Sequence, residues 1–209
     1  MAAPISLLDV IDAREAKEPR ECLTHVLYIA KDIEDVGKSM AAHKRIVEET
    51  ADATGIFMCQ EGVLLHYLEA PPAVAVTILR QIGEKAKTGI DATTARVLHQ
   101  AEDCPSRYFD SWKAVGPLSI SDEGDVPVPP SEEAVDLAFE ALKAIMAIGK
   151  KGEPPEHNCP SQKRIAAYCA CKAFFSLKEY MGFFDTTISV NMESEDVWPF
   201  QPVINYVGF

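Results

Sequence analysis

From residue 23 onward, apolar and polar positions alternate in a readable order. Residues 23–30 (LTHVLYIA) form an apolar run short enough for a buried strand. Residues 32–50 switch to a helical period, with Ile33, Val36, Met40, His43 or Lys44, and Val47 on one stripe. Residues 54–59 and 63–69 predict two strands joined by Gln60-Glu61-Gly62, where Gly62 supplies the permissive turn backbone. Pro71-Pro72 opens a second helix, whose buried face carries Val74, Ile78 and Ile82. Residues 93–100 predict a fourth strand, 107–112 a short helical turn and 113–120 a last strand. The order β-α-β-β-α-β-β predicts an α+β fold, a ferredoxin-like antiparallel sheet with two helices on one face.

Beyond residue 120 the pattern changes. Residues 121–133 (SDEGDVPVPPSEE) are acidic, proline-rich and without periodicity, which predicts a linker. Ser131 is placed to cap a helix reaching about residue 148, with Val135, Ala138, Leu142 and Ile145 on one stripe and Gly149 at its end. Residues 152–160 predict a loop, 161–181 a second helix ending at Gly182, and 184–192 a strand. The last stretch, 197–209, is apolar, aromatic and broken by Pro199 and Pro202. The expected organisation is a leader over 1–21, a sheet domain over 22–120, a linker over 121–133 and a helical extension with an aromatic tail over 134–209.

Composition narrows the function classes. Hydrophobic residues at 47% and charged residues at 25% suit a globular chain. A net charge of −12 disfavours nucleic acid and anionic membrane surfaces, both of which select basic faces. No apolar run reaches membrane-spanning length, and residues 1–21 lack the charged start and apolar centre of a secretion signal. Six cysteines are too sparse for a disulfide scaffold at this length. These features lead to the expectation of a soluble, cytoplasmic protein in a reducing compartment.

The segment 23–114 resembles a BLUF domain, the flavin-binding blue-light sensor module. The resemblance rests on Tyr28 closing LTHVLY, on the hairpin TGIFMCQEGVLLHYLEA and on RYFDSWKA at 107–114. It implies that Tyr28 takes the place of the photochemical tyrosine. It also implies that the positions holding the flavin ring are altered. Glu48 stands where an asparagine amide is needed, His66 where a glutamine relays the signal, and Ala114 where a methionine lies. The phosphate-holding basic residues are reduced to Lys85 and Lys87. A histidine changes protonation but cannot present both groups of an amide, and a carboxylate cannot donate. The expectation is therefore no cofactor and no catalysis, with Tyr28 as a structural tyrosine whose hydroxyl is exposed. The chain is also similar to the testis-expressed BLUF-like proteins of animal sperm, through the helical extension and the acidic run into Val197-Trp198-Pro199. That similarity implies a protein-interaction role in the cilium or flagellum axoneme. The runner-up is a flavin-binding blue-light or redox sensor.

Other chemistry weighs less. His157, Cys159, Cys169 and Cys171 lack the C-x-x-C spacing of a structural zinc site, so no metal is expected. His66 and Glu69, three apart on one strand, face opposite sides of the sheet, as do His25 and Tyr28. Acylphosphatases share the sandwich topology but need an arginine after the first strand, where this chain reads AKDIEDVGKS. Tyr108, Phe109 and Trp112 predict an aromatic cap on the sheet's end. Trp198, Phe200, Tyr206 and Phe209 either fold back on their own domain or dock on a partner protein. Docking is favoured because the core already has its strands and helices, and aromatics are enriched at interfaces.

Overall fold

The computed structural model describes residues 22–185 apart from 51, 117, 119–123, 125 and 156–158. Its strands are β1 (Leu23–Lys31), β2 (Thr54–Gln60), β3 (Val63–Ala70), β4 (Arg96–Cys104) and β5 (Trp112–Val115). Its helices are α1 (Val36–Thr50), α2 (Pro72–Ile82), α3 (Lys85–Thr88), α4 (Ala134–Lys151), α5 (Gln162–Ala170) and α6 (Leu177–Asp185). The expected strand at 184–192 begins inside α6, and its remainder, like the leader and the tail 197–209, lies outside the described residues.

The sheet order is β4-β1-β3-β2-β5. The first four strands are antiparallel in the ferredoxin-like order, so the α+β expectation holds. The sheet is nevertheless mixed, because β5 runs parallel to β2, from Gly55 opposite Trp112 to Met58 opposite Val115. Connectivity explains this. β4 ends at Cys104 beside Leu23, at the end of the sheet where Thr54 also begins β2. Residues 105–111 cross that end only, so β5 departs in the same direction as β2. The helical turn expected over 107–112 is replaced by bends and the start of β5.

Both faces of the sheet are covered, which is why β1, β2 and β3 read as continuous apolar runs. On one face Tyr28, Phe57, Leu64 and Leu68 meet Ile46 and Val47 of α1 and Ile78 and Leu79 of α2. On the other, Leu27, Ile29, Met58 and Leu65 meet Ala138, Ala141 and Ile145 of α4 and Ile165 and Tyr168 of α5. Gly62 takes φ 71° at the hairpin turn, as its sequence position requires. Gly55 has φ 137°, and a Cβ there would sit 2.0 Å from the Tyr67 carbonyl oxygen, so only glycine lets β2 lie this close to β3.

Three helix boundaries depart from expectation. The single helix over 161–181 is two, α5 and α6, separated where the chain crosses the β4 edge. There Val97 donates its N–H to Phe175 and Leu177 donates to Ala95. Ser176 and Glu179 bond reciprocally, the Ser176 N–H to Glu179 Oε2 and the Glu179 N–H to Ser176 Oγ, a capping box that starts α6 afresh. α4 begins at Ala134 with no side-chain cap, so Ser131 does not cap it, and it closes at Gly152 in a left-handed conformation instead of at Gly149.

Candidate functional site

Four side chains from four elements meet in the interior between the sheet and α1. β1 supplies Tyr28, β3 His66, α1 His43 and β5 Trp112. The Trp112 indole Nε1–H donates to His66 Nε2 over 2.9 Å. An indole nitrogen only donates, so that ring nitrogen carries no proton and the proton sits on Nδ1. His66 Nδ1–H then donates to the Tyr28 hydroxyl oxygen at 3.0 Å. The Tyr28 hydroxyl passes its own proton toward His43 Nε2 at 2.9 Å. His43 Nδ1–H finishes on the Ser39 carbonyl at 2.7 Å. Every donor in the chain has an acceptor, which is the condition for a buried polar network to be stable.

Burial sets the charge state. Tyr28, His43 and His66 are fully buried. Desolvation pushes the His43 imidazolium down to about 4, against a partial gain from the Ser39 carbonyl. Desolvation, then the nearby His43, lowers His66 well below its usual range. Desolvation raises Tyr28 well above the usual phenol range. All three are neutral near pH 7, as the donor pattern requires. Tyr28 therefore differs from expectation: its hydroxyl is buried and bonded twice.

The positions aligned with the flavin ring are split by this packing. Tyr28 and His66 touch each other in the interior. Glu48 and Ala114 are exposed and line a separate surface cavity of about 440 Å³ with Lys44, Val47, Asp52, Ala53 and Trp112. Glu48 lies 3.8 Å from Lys44, and Asp52 is held by Arg107 at 2.7 Å. The cavity presents two carboxylates and one lysine. The interior groups spend their hydrogen-bonding capacity on one another. These residues do not fit the flavin ring of the family resemblance, which needs amide donors aimed at it. His43, the group that meets Tyr28, was visible in the sequence only as one of two candidates for the α1 stripe. Its i−4 carbonyl partner, Ser39, gave no sequence signal.

On the opposite face, as strand alternation predicts, stands Glu69. Its fully buried carboxylate accepts from Thr54 Oγ1 at 2.7 Å, the Tyr108 N–H at 2.6 Å and the Phe109 N–H at 3.2 Å. Arg107 adds bonds to Thr54 Oγ1 and Asp52. Directly across β1, His25 places Nε2 3.9 Å from Glu69 Oε1, and its Nδ1 bonds the Tyr67 hydroxyl at 2.9 Å. The sequence separated His66 from Glu69 correctly but missed this cross-strand pair, whose register only the fold supplies. The expected aromatic cap divides: Phe109 packs with Tyr67 on this face, and Trp112 packs with Phe57 on the other.

Among the described residues no group of three His, Cys, Asp or Glu side chains is arranged to hold a metal. Cys159, Cys169 and Cys171 are buried separately, and His157 lies outside the described residues. Cys171 donates to the Pro129 carbonyl, and Cys159 takes a bond from Gln60. Trp198, Phe200, Tyr206 and Phe209 also lie outside the described residues. Among the described residues no helix is long and apolar enough to cross a membrane.

A family model described as testis-expressed protein 47 matches residues 23–186. No curated protein matches the chain. Among solved structures it is similar to a chain titled BlrP1 BLUF, at 12% identity over 67% of this chain and 96% of that one, with a TM-score of 0.37.

Two outcomes test the interior network. Below pH ~6.5 an unfolded chain takes up protons that the folded His43 and His66 refuse, so stability falls as pH drops from about 6.5 toward 4. His43 alone contributes about 3 kcal/mol of that loss. Urea unfolding at pH ~7 and ~4 should show a smaller difference in His43→Gln than in the wild type, and equal differences contradict the assignment. Tyr28→Phe strands His66 Nδ1–H and His43 Nε2 in the interior. It should lower stability by roughly 2–5 kcal/mol, and an unchanged urea midpoint would show the hydroxyl to be dispensable.

Proposed function

The chain belongs to the testis-expressed protein 47 family, and on that premise we propose that it is a non-enzymatic interaction subunit of a large assembly, the axoneme of the cilium or flagellum. The reading combines the sperm-protein similarity with one observation. The tyrosine, histidines and tryptophan that line the sensor-like interior are committed to one another and leave no free group to hold a ring. A network that is neutral, dry and satisfied supplies rigidity and offers neither a general base nor a nucleophile.

On this reading the fold no longer binds flavin, and the protein works through its surfaces in the cytoplasm of the cilium. The tail side chains Trp198, Phe200, Tyr206 and Phe209 are its docking groups. Large aromatics seated in a partner's pocket dominate interface energies, and each is worth roughly 2 kcal/mol or more on truncation. Neither nucleic acid nor membrane is a partner, given the net charge of −12.

Purified protein should be colourless in the visible range and should show no micromolar binding when titrated with FAD. A bound flavin whose band shifts red on illumination would instead establish the sensor reading. Removing residues 197–209 should leave a folded sheet domain and abolish retention in the native complex. Retention of the shortened chain would place the docking surface elsewhere.

A further inference from the structure

α4, the β4 edge and the segment 173–183 enclose an open groove of about 360 Å³. Among the described residues its lining includes Leu98, Val135, Phe139, Phe174, Phe175 and Phe183 and carries no Asp, Glu, Lys or Arg. Val135 is 61% exposed, Phe139 51%, and Phe175 and Phe183 56% each, the largest exposures of big apolar side chains in the described residues apart from Val128. Phe175 and Phe183 meet edge to face at 5.4 Å and form an apolar wall. Left wet, such a patch marks a binding site. Tyr180 also lines the groove and is 6% exposed.

The chain contains an occupant of matching chemistry. The described residues end at Asp185, two positions beyond Phe183 on the rim of the groove. Residues 197–209 (VWPFQPVINYVGF) carry no charged side chain, as the groove lining carries none. Pro199 and Pro202 disfavour a helix across the segment. The intervening run Glu193-Ser194-Glu195-Asp196 is acidic, and Lys172 and Lys178 flank the wall 173–177. The twelve residues 186–197 span up to about 40 Å when extended, enough to reach any part of the groove. Tethering raises the local concentration of the segment to the millimolar range, where a weak site fills.

We propose that the groove between α4, β4 and α6 is the resting seat of this chain's own segment 197–209. The aromatics of the segment cover Phe139, Phe175 and Phe183, and its acidic run faces Lys172 and Lys178. The proposal rests on the preceding reading only for what happens next, when a partner must take the docking side chains away from this seat.

The test uses the full chain alone. Trp198 emission is isolated as the difference between wild type and Trp198→Phe, which removes the constant signal of Trp112. The expected result is blue-shifted emission shielded from iodide, unchanged on dilution. Phe139→Glu and Val135→Glu, both at exposed positions and checked for an unaltered urea midpoint, should shift that emission to the red and open it to quenching. Water-like Trp198 emission in the wild type would overturn the proposal. So would protection that survives both groove variants, or protection that disappears on dilution, which means the groove of a second copy. Loss of complex retention on removing 197–209, together with water-like Trp198 emission, would refute the resting seat and leave the docking function standing.

Discussion

The buried carboxylate of Glu69 is the constraint on which the arrangement depends. A chain leaving β4 at Cys104 has to reach the far edge of β2, and the apolar anchors in residues 105–111 are Phe109 and the partly buried Tyr108. Glu69 fixes it by accepting the backbone N–H groups of Tyr108 and Phe109, while Thr54 of β2 ties the same carboxylate to the neighbouring strand. Hydrogen bonds to a charged group are the stronger kind, and removing a buried partner is expensive. With the crossing pinned, β5 can only lie parallel to β2. That register carries Trp112 to the face opposite Glu69, within reach of His66. The network on one side of the sheet is thus held in place by an anion on the other.

The two helical layers follow from the same sheet. β1 and β3 are apolar on both faces, so a single pair of helices would leave half of their surface wet. α4 and α5 cover it, and α6 returns around the β4 edge to complete the first layer with Leu177 and Tyr180. The return also closes part of the open edge of β4, through residues 175–177, which limits unwanted strand pairing there.

Much of this was legible in the sequence for identifiable reasons. The period of two in β3 separated His66 from Glu69. The doubled proline began α2 at the right residue, and Gly62 marked the hairpin. What stayed hidden depended on register and route. The pairing of His25 with Glu69 requires knowing which residue of β1 lies across from β3. The parallel direction of β5 requires knowing which end of the sheet the crossing follows. Pattern offered His43 or Lys44 for the buried stripe of α1 and could not say that a tyrosine hydroxyl waits there. The break between α5 and α6 did have a local signal, the Ser176–Glu179 capping box.

The hydrogen-bond chain from Trp112 to Ser39 has a further consequence. Its first member can only give a proton and its last, a backbone carbonyl, can only take one. The two ends therefore fix the sense of every link between them, and the mirror arrangement, with each proton moved to the other side of its bond, does not exist. A relay that stores information needs two such arrangements of similar energy. This one has a single ground state. The chain from Trp112 to Ser39 is a one-way latch that holds β1, β3, β5 and α1 in register.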